Sequence, residues 1–130
     1  MAGELILIVE DNEQNLKLAR DLLRVHGYGT LDAGSGEAGV ALAAEHRPDL
    51  VVMDIHLPGI SGIEALAMLR AAPVTRAIPV LAFTASVMPQ DRSDIMAAGF
   101  DAFVSKPINI EAFLAAVAAA LARRRAGSES

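Results

Sequence analysis

The chain has 130 residues, of which 53% are hydrophobic, 21% charged and 4% aromatic, with a net charge of -5 and no cysteine. That is enough chain for one domain with its own core, and the small aromatic fraction leaves Ala, Leu, Ile and Val to build it. The acidic balance disfavours binding to nucleic-acid phosphates, and the lack of cysteine excludes disulfides, thiolate metal sites and a cysteine nucleophile and fits a reducing compartment.

Leu5 to Val9 is a continuous apolar run that ends in Glu10 and Asp11. It is too short for a signal-peptide core and suits a strand buried on both faces. From Asn12 to His26 the abundance of Leu, Ala, Lys and Arg predicts a helix. Leu18, Leu22 and Val25 recur at helical spacing as its apolar stripe, and Gly27 is its stop. Tyr28 to Asp32 reads as a second, weaker strand. Ser35 can cap a second helix bounded by Pro48.

Leu50 to Met53 is a third strand, running into Asp54. Ser61 and Glu64 have the spacing of a capping box, so a third helix starts at Ser61. Ile78 to Phe83 is a fourth strand, ending at Thr84. Pro89 suits the first turn of a fourth helix and Gly99 its end. Ala102 to Val104 is a fifth strand leading into Ser105, Lys106 and Pro107. Asn109 is a candidate N-cap for a last helix that ends at Arg125, with Ile110, Phe113, Leu114, Val117 and Leu121 as its apolar stripe. Arg123, Arg124 and Arg125 suit a helix C-terminus. Its Ala-rich stretch is too short to span a bilayer. Residues 126–130 read as a disordered tail.

Five strands therefore alternate with five helices. Short, right-handed connections then give an α/β three-layer sandwich, one domain over residues 1–125. In open α/β sheets ligands bind beyond the carboxyl ends of the strands. Glu10 and Asp11 lie at that edge after strand one, Asp54 after strand three, Thr84 after strand four, and Lys106 after strand five. Three carboxylates gathered there need protons or a cation to neutralise them. Oxygen donors without Cys or suitably spaced His point to a hard ion, Mg²⁺ rather than Zn²⁺. Bound Mg²⁺ and Lys106 would stabilise charge on a transferring phosphoryl group, with Asp54 as nucleophile and Thr84 hydrogen-bonding a phosphoryl oxygen. Taken singly, these are ordinary helix-capping, loop, turn and solvated residues. The argument rests on their convergence at one edge.

The residues in question are Ile8-Val9-Glu10-Asp11-Asn12, then Asp49 to Gly59 around Asp54, then Ser61-Gly62, Phe83-Thr84-Ala85, Ala98-Gly99-Phe100-Asp101 and Ser105-Lys106-Pro107. In this order and spacing the sequence resembles bacterial response-regulator receiver domains over nearly its whole length. It is also similar to stand-alone receivers of the cell-division-regulator type, and a receiver excised from a longer regulator or hybrid kinase would read the same way.

The resemblance implies a flavodoxin-like receiver fold, with a five-stranded parallel sheet in the order 2-1-3-4-5 and five helices. It implies that Asp54 accepts a phosphoryl group from a sensor histidine kinase or a histidine phosphotransfer protein. Glu10, Asp11, Asp54 and the backbone carbonyl of His56 would hold Mg²⁺. Thr84 would be the switch hydroxyl, Lys106 the lysine paired with the phosphoryl group, and Phe103 the aromatic switch unless it is a plain core aromatic. The Lys106-Pro107 peptide would be cis. His56 and Ser86 occupy positions that tune dephosphorylation, while His26 and His46 receive no catalytic role.

Such a domain catalyses only its own phosphorylation and dephosphorylation. It acts in the cytoplasm, inserts into no membrane, and contacts a downstream protein effector through helix four, strand five and helix five. Ala115, Ala118, Ala119 and Ala122 give the last helix a small-residue surface open to a partner or a weak homodimer, although alanine's high helix propensity is the simpler account of them. Three other readings stand beside this one. A phosphorylation-independent binding module would share the residues. An Asp-nucleophile phosphatase of the haloacid-dehalogenase type needs a second Asp where His56 stands. A flavin carrier needs a Ser/Thr/Gly-rich loop where Glu10 and Asp11 stand.

Overall fold

The structure is a computed structural model and describes residues 3–85 and 89–129. Five parallel strands, β1 (Leu5–Val9), β2 (Gly29–Ala33), β3 (Leu50–Asp54), β4 (Val80–Thr84) and β5 (Ala102–Ser105), form one sheet in the order β2-β1-β3-β4-β5. The helices α1 (Glu13–Val25), α2 (Gly36–His46), α3 (Gly62–Ala71), α4 (Pro89–Ala98) and α5 (Ile110–Glu129) connect them. This is the expected fold and strand order.

The starts of α1, α2, α3 and α5 follow from local side-chain hydrogen bonds. Asn12 Oδ1 accepts from Asn15 N, Ser35 Oγ from Ala38 N and Asn109 Oδ1 from Ala112 N, which satisfies N–H groups the first helical turn leaves without partners. Ser61 and Glu64 close the capping box in both directions. Gly27 and Gly99 follow α1 and α4 with φ of 89° and 109°, a backbone region costly to residues with a Cβ.

Successive strand residues point to opposite faces, so each strand feeds two cores. Leu7, Val9, Val51, Met53, Val80 and Ala82 pack against Ala43 of α2, Leu66 and Leu69 of α3 and Ile95 of α4. Ile6, Ile8, Leu50, Val52, Leu81, Phe83 and Val104 pack against Ala19 and Leu23 of α1 and Phe113, Val117 and Leu121 of α5. Both faces of the sheet are covered, as the continuous apolar runs predict.

Three details depart from the sequence reading. The stripe of α1 is rotated: Leu18 and Val25 are exposed, and Ala19 and Leu23 are the buried residues, with Leu16 and Leu22 packed beside them. Four leucines on one helix offer more than one face of similar apolarity, and only docking on the sheet selects between them. At the start of α5, Ile110 is exposed because it lies in the first turn, ahead of Phe113, the first residue of the helix to reach the core. The last helix also runs to Glu129, past the end expected at Arg125, and the three arginines lie within it.

Candidate functional site

The alternation that buries Ile6 and Ile8 on the α1/α5 face carries Glu10 to the same face just past β1. The alternation of Leu50 and Val52 does the same for Asp54 at the end of β3. Glu10 extends the ladder by donating its N–H to Ala33 O at 2.9 Å. Glu10 and Asp54 are buried, while Asp11 beside them is exposed. One carboxylate oxygen from each of the three lies within 4.8 Å of the others.

Lys106 reaches this cluster from the far side of the sheet. Its Nζ donates to Asp54 Oδ2 at 2.9 Å and makes an ionic contact with Glu10 Oε1. Its backbone N–H is anchored on Thr84 O at 2.8 Å, and the Lys106-Pro107 peptide is cis. The second oxygen of Asp54, Oδ1, accepts the backbone N–H of His56 at 3.0 Å. Thr84 is fully buried at the end of β4, in register with Ser105. The structure thus brings together Glu10, Asp11, Asp54 and Lys106, with Thr84 at the adjacent strand end.

The remaining candidates lie around them. His56 is exposed on the loop after β3. Phe103 is half-buried in β5, with the guanidinium carbon of Arg92 from α4 5.1 Å from its ring centroid. Ser86 lies outside the described residues. His26 and His46 make only local contacts at the ends of α1 and α2, to Leu22 O and to Glu45.

Burial pushes the Glu10 carboxyl above the usual carboxylate range, and Asp54 adds to this, while Lys106 and the Asn12 N–H oppose it. Burial also pulls the Lys106 ammonium down, but Glu10 and Asp54 outweigh it and hold the group above its ordinary value. Three carboxylates face one ammonium, so the site is short of positive charge. Glu10 Oε1 is buried against the same Lys106 ammonium that serves Asp54, and exposed Asp11 leaves the cluster open to solvent. An all-oxygen set of this kind suits a hard divalent cation such as Mg²⁺.

Two residues that matter here received no role from the sequence. Gly62 packs so closely on the Asp54 backbone that a Cβ there would lie 2.3 Å from Asp54 O. Phe83 lies beneath Lys106, its ring centroid 4.9 Å from Nζ. Both fall inside segments that carry the family resemblance, which marks the segments without saying what each residue does.

A doubly covered parallel sheet with an acidic cluster, an aspartate and a lysine at its carboxyl edge defines a receiver module of two-component signalling. The chain belongs to the response regulator receiver domain family, whose match covers residues 6–118. It is similar to the polar-differentiation response regulator DivK of Brucella anthropi, with 46% identity over 109 residues, 84% of this chain and 89% of that one. DivK of Brucella ovis matches equally well. These relatives bear out the expected likeness to cell-division regulators.

Among solved structures, it resembles the receiver domain of a sensor histidine kinase from Pseudomonas aeruginosa PAO1, which has a magnesium ion coordinated in its active site cleft. The TM-score is 0.86 at 30% identity, covering 93% of this chain and 99% of that one. The receiver domain of a histidine kinase from Syntrophus aciditrophicus matches with a TM-score of 0.84 at 29% identity, covering 92% and 90%. Family membership displaces the phosphatase and flavin-carrier readings. Receiver domains are signalling modules, generally without an enzymatic activity toward other substrates.

Proposed function

We propose that this receiver accepts a phosphoryl group on Asp54 and uses it to switch a protein-binding surface. The observation that carries the reading is the state of the Asp54 carboxylate. It is buried, held at one oxygen by Lys106 and at the other by the His56 N–H, within reach of two further carboxylates. A nucleophile needs this fixed orientation, and the transferred group needs nearby positive charge.

Glu10, Asp11 and Asp54, with the His56 backbone carbonyl, would hold Mg²⁺, which when bound supplies the charge that offsets the phosphoryl oxygens. The Asp54 carboxylate attacks the phosphorus of a phosphohistidine. The new O–P bond forms as the N–P bond breaks, and the departing imidazole takes a proton from solvent. The donor is a histidine kinase or a histidine phosphotransfer protein. The exchange belongs to the cytoplasm, a reducing compartment that the cysteine-free chain fits.

The phosphoryl group carries about 1.5–2 negative charges at pH 7, in place of the single charge of the Asp54 carboxylate. Lys106 and the Thr84 hydroxyl then answer to a new acceptor. Because Lys106 N is bonded to Thr84 O, and Phe103 pairs with Ala82 two residues before the Thr84–Ser105 pair, β4 and β5 respond together. The states differ in population, and a downstream effector reads α4, β5 and α5. Hydrolysis of the acyl phosphate returns the switch, and His56 and Ser86, each two residues after Asp54 and Thr84 in the sequence, tune its rate.

The test is intact mass after incubation with acetyl phosphate, with and without Mg²⁺, beside Asp54→Asn. The expected result is one phosphoryl adduct that needs Mg²⁺ and is lost in the variant. An adduct that persists in Asp54→Asn would overturn the assignment of the acceptor.

A further inference from the structure

We propose that Phe83 is a positioning residue for Lys106, holding its ammonium over the aromatic ring and aimed at Asp54. The inference rests on the phosphoacceptor reading above. Lys106 follows β5, and Asp54 ends β3, so β4 stands between them. Neighbouring strands lie about 4.8 Å apart, so the Lys106 and Asp54 side chains must together bridge roughly 10 Å across β4. The residue it crosses is Phe83, in register with Asp54 on one side and with Val104 on the other.

Phe83 is fully buried and points to the same face of the sheet as Asp54 and Val104. The Lys106 Nζ stands over its ring, 4.9 Å from the centroid, while donating to Asp54 Oδ2 at 2.9 Å. An ammonium over a ring within about 6 Å of its centroid is attracted to the negative face of the π-system, more strongly when both are shielded from water. Lys106 is shielded in this way, with a side-chain exposure of 14%. A lysine has a long, flexible stem and a point charge. The carboxylates attract that charge from one side only. The ring beneath supplies the second contact that fixes its height above the sheet.

The ring is itself held from below. Phe113 of α5 meets it at a centroid separation of 6.0 Å and an interplanar angle of 44°. A line of contact therefore runs from α5 through Phe113 and Phe83 to Lys106 and Asp54. It lies on the opposite face of the sheet from Phe103, which packs with the α2/α3/α4 core.

Fluorination weakens the negative face of a ring while nearly preserving its shape, so it separates this role from simple packing. Mono-, di- and trifluorophenylalanine would be placed at Phe83 by site-specific incorporation. The same series at Phe100, a buried aromatic of the other core, serves as control. The rate of Mg²⁺-dependent phosphorylation by acetyl phosphate is expected to fall progressively with fluorine count at Phe83, by about two- to thirtyfold across the series, and to stay level at Phe100.

Alongside, the Lys106 side-chain protons of the wild type should show an aromatic ring-current shift that Phe83→Leu removes. A rate that ignores the fluorine count at Phe83, with a normally phosphorylated wild type, overturns the inference alone. A wild type that forms no adduct overturns the phosphoacceptor reading and, with it, this role for Phe83. Loss of rate in both fluorinated series identifies a packing effect and also overturns it.

Discussion

Arg70 and Asp101 form an ion pair between the last turn of α3 and the turn before β5, Nη2 to Oδ2 at 3.0 Å. The pair is a junction of several backbone segments. Arg70 Nη1 also donates to Ile78 O at 2.6 Å and Arg76 O at 3.1 Å, and the same Asp101 oxygen accepts the N–H of Val80 at 2.8 Å. Arg123 of α5 donates to Asp101 O. The start of β4, which has no preceding strand residue to set its position, is thus pinned at the edge of the sheet opposite Asp54.

Removing Asp101 should therefore cost stability without touching the chemistry. Asp101→Ala leaves the Val80 N–H and the Arg70 guanidinium short of an acceptor. The expected loss is about 1–3 kcal/mol, moderated by the partial exposure of the pair. Urea unfolding would report it as a lower midpoint at unchanged slope. The rate of phosphorylation by acetyl phosphate at 25 °C should remain that of the wild type. A large fall in that rate would mean that the junction communicates with the site.

Gly62 is expected to tolerate no side chain. The added Cβ of Gly62→Ala would stand 2.3 Å from Asp54 O and 2.8 Å from Ile55 Cα, both backbone atoms that cannot turn aside. Either α3 or the segment carrying Asp54 must shift. Overpacking of this kind costs on the order of 1–3 kcal/mol or more, and the phosphorylation rate should fall with it. Gly34→Ala, where nothing lies within 4 Å of the new methyl, is the matched control and should be nearly neutral in both measurements.

Glu10 makes a pH-dependent contribution opposite to that of an ordinary surface carboxylate. Its folded-state carboxyl lies above the usual value of 4.5, chiefly through burial. The folded protein then holds this proton more tightly than the unfolded chain does. Its contribution is most favourable below about 4.5 and is lost as pH rises through the folded-state value. The unfolding free energy of the wild type minus that of Glu10→Gln, measured without Mg²⁺, should decline as pH rises from 4 to 7. A difference that stays flat or rises would contradict this. Mg²⁺ should raise the thermal midpoint of the wild type at pH 7, because it binds only the folded site, and should do so less in Glu10→Gln.

Arg92 and Phe103 join α4 to β5 across the proposed output surface. Arg92 is exposed, so the pair is expected to contribute only about 0.5–1 kcal/mol. A double-mutant cycle of Arg92→Ala and Phe103→Leu, read by urea unfolding, isolates that coupling. If Phe103 moves when Asp54 is phosphorylated, the coupling should shrink in the phosphorylated protein. An equal coupling in both states would separate Phe103 from the switch.

Much of this protein is written locally in its chain. The apolar runs mark the strands, and Asn12, Ser35, Ser61 with Glu64, and Asn109 mark helix starts, because each signal operates within three or four residues. The order of strands and helices then dictates which strand ends share an edge. Glu10, Asp11, Asp54, Thr84 and Lys106 were legible as one site for that reason. Other features depend on how the layers press together. The buried face of α1, the Arg70–Asp101 junction, the contact of Gly62 on the Asp54 backbone and the ring of Phe83 beneath Lys106 all belong to this second group. The junction and the ring contact involve partners far apart in sequence, 31 residues for Arg70 and Asp101 and 23 for Phe83 and Lys106. Periodicity and capping chemistry act over one turn and carry no information at that range. Only the packing of both helical layers on the sheet selects one leucine face over another, or places an aromatic ring under a particular ammonium.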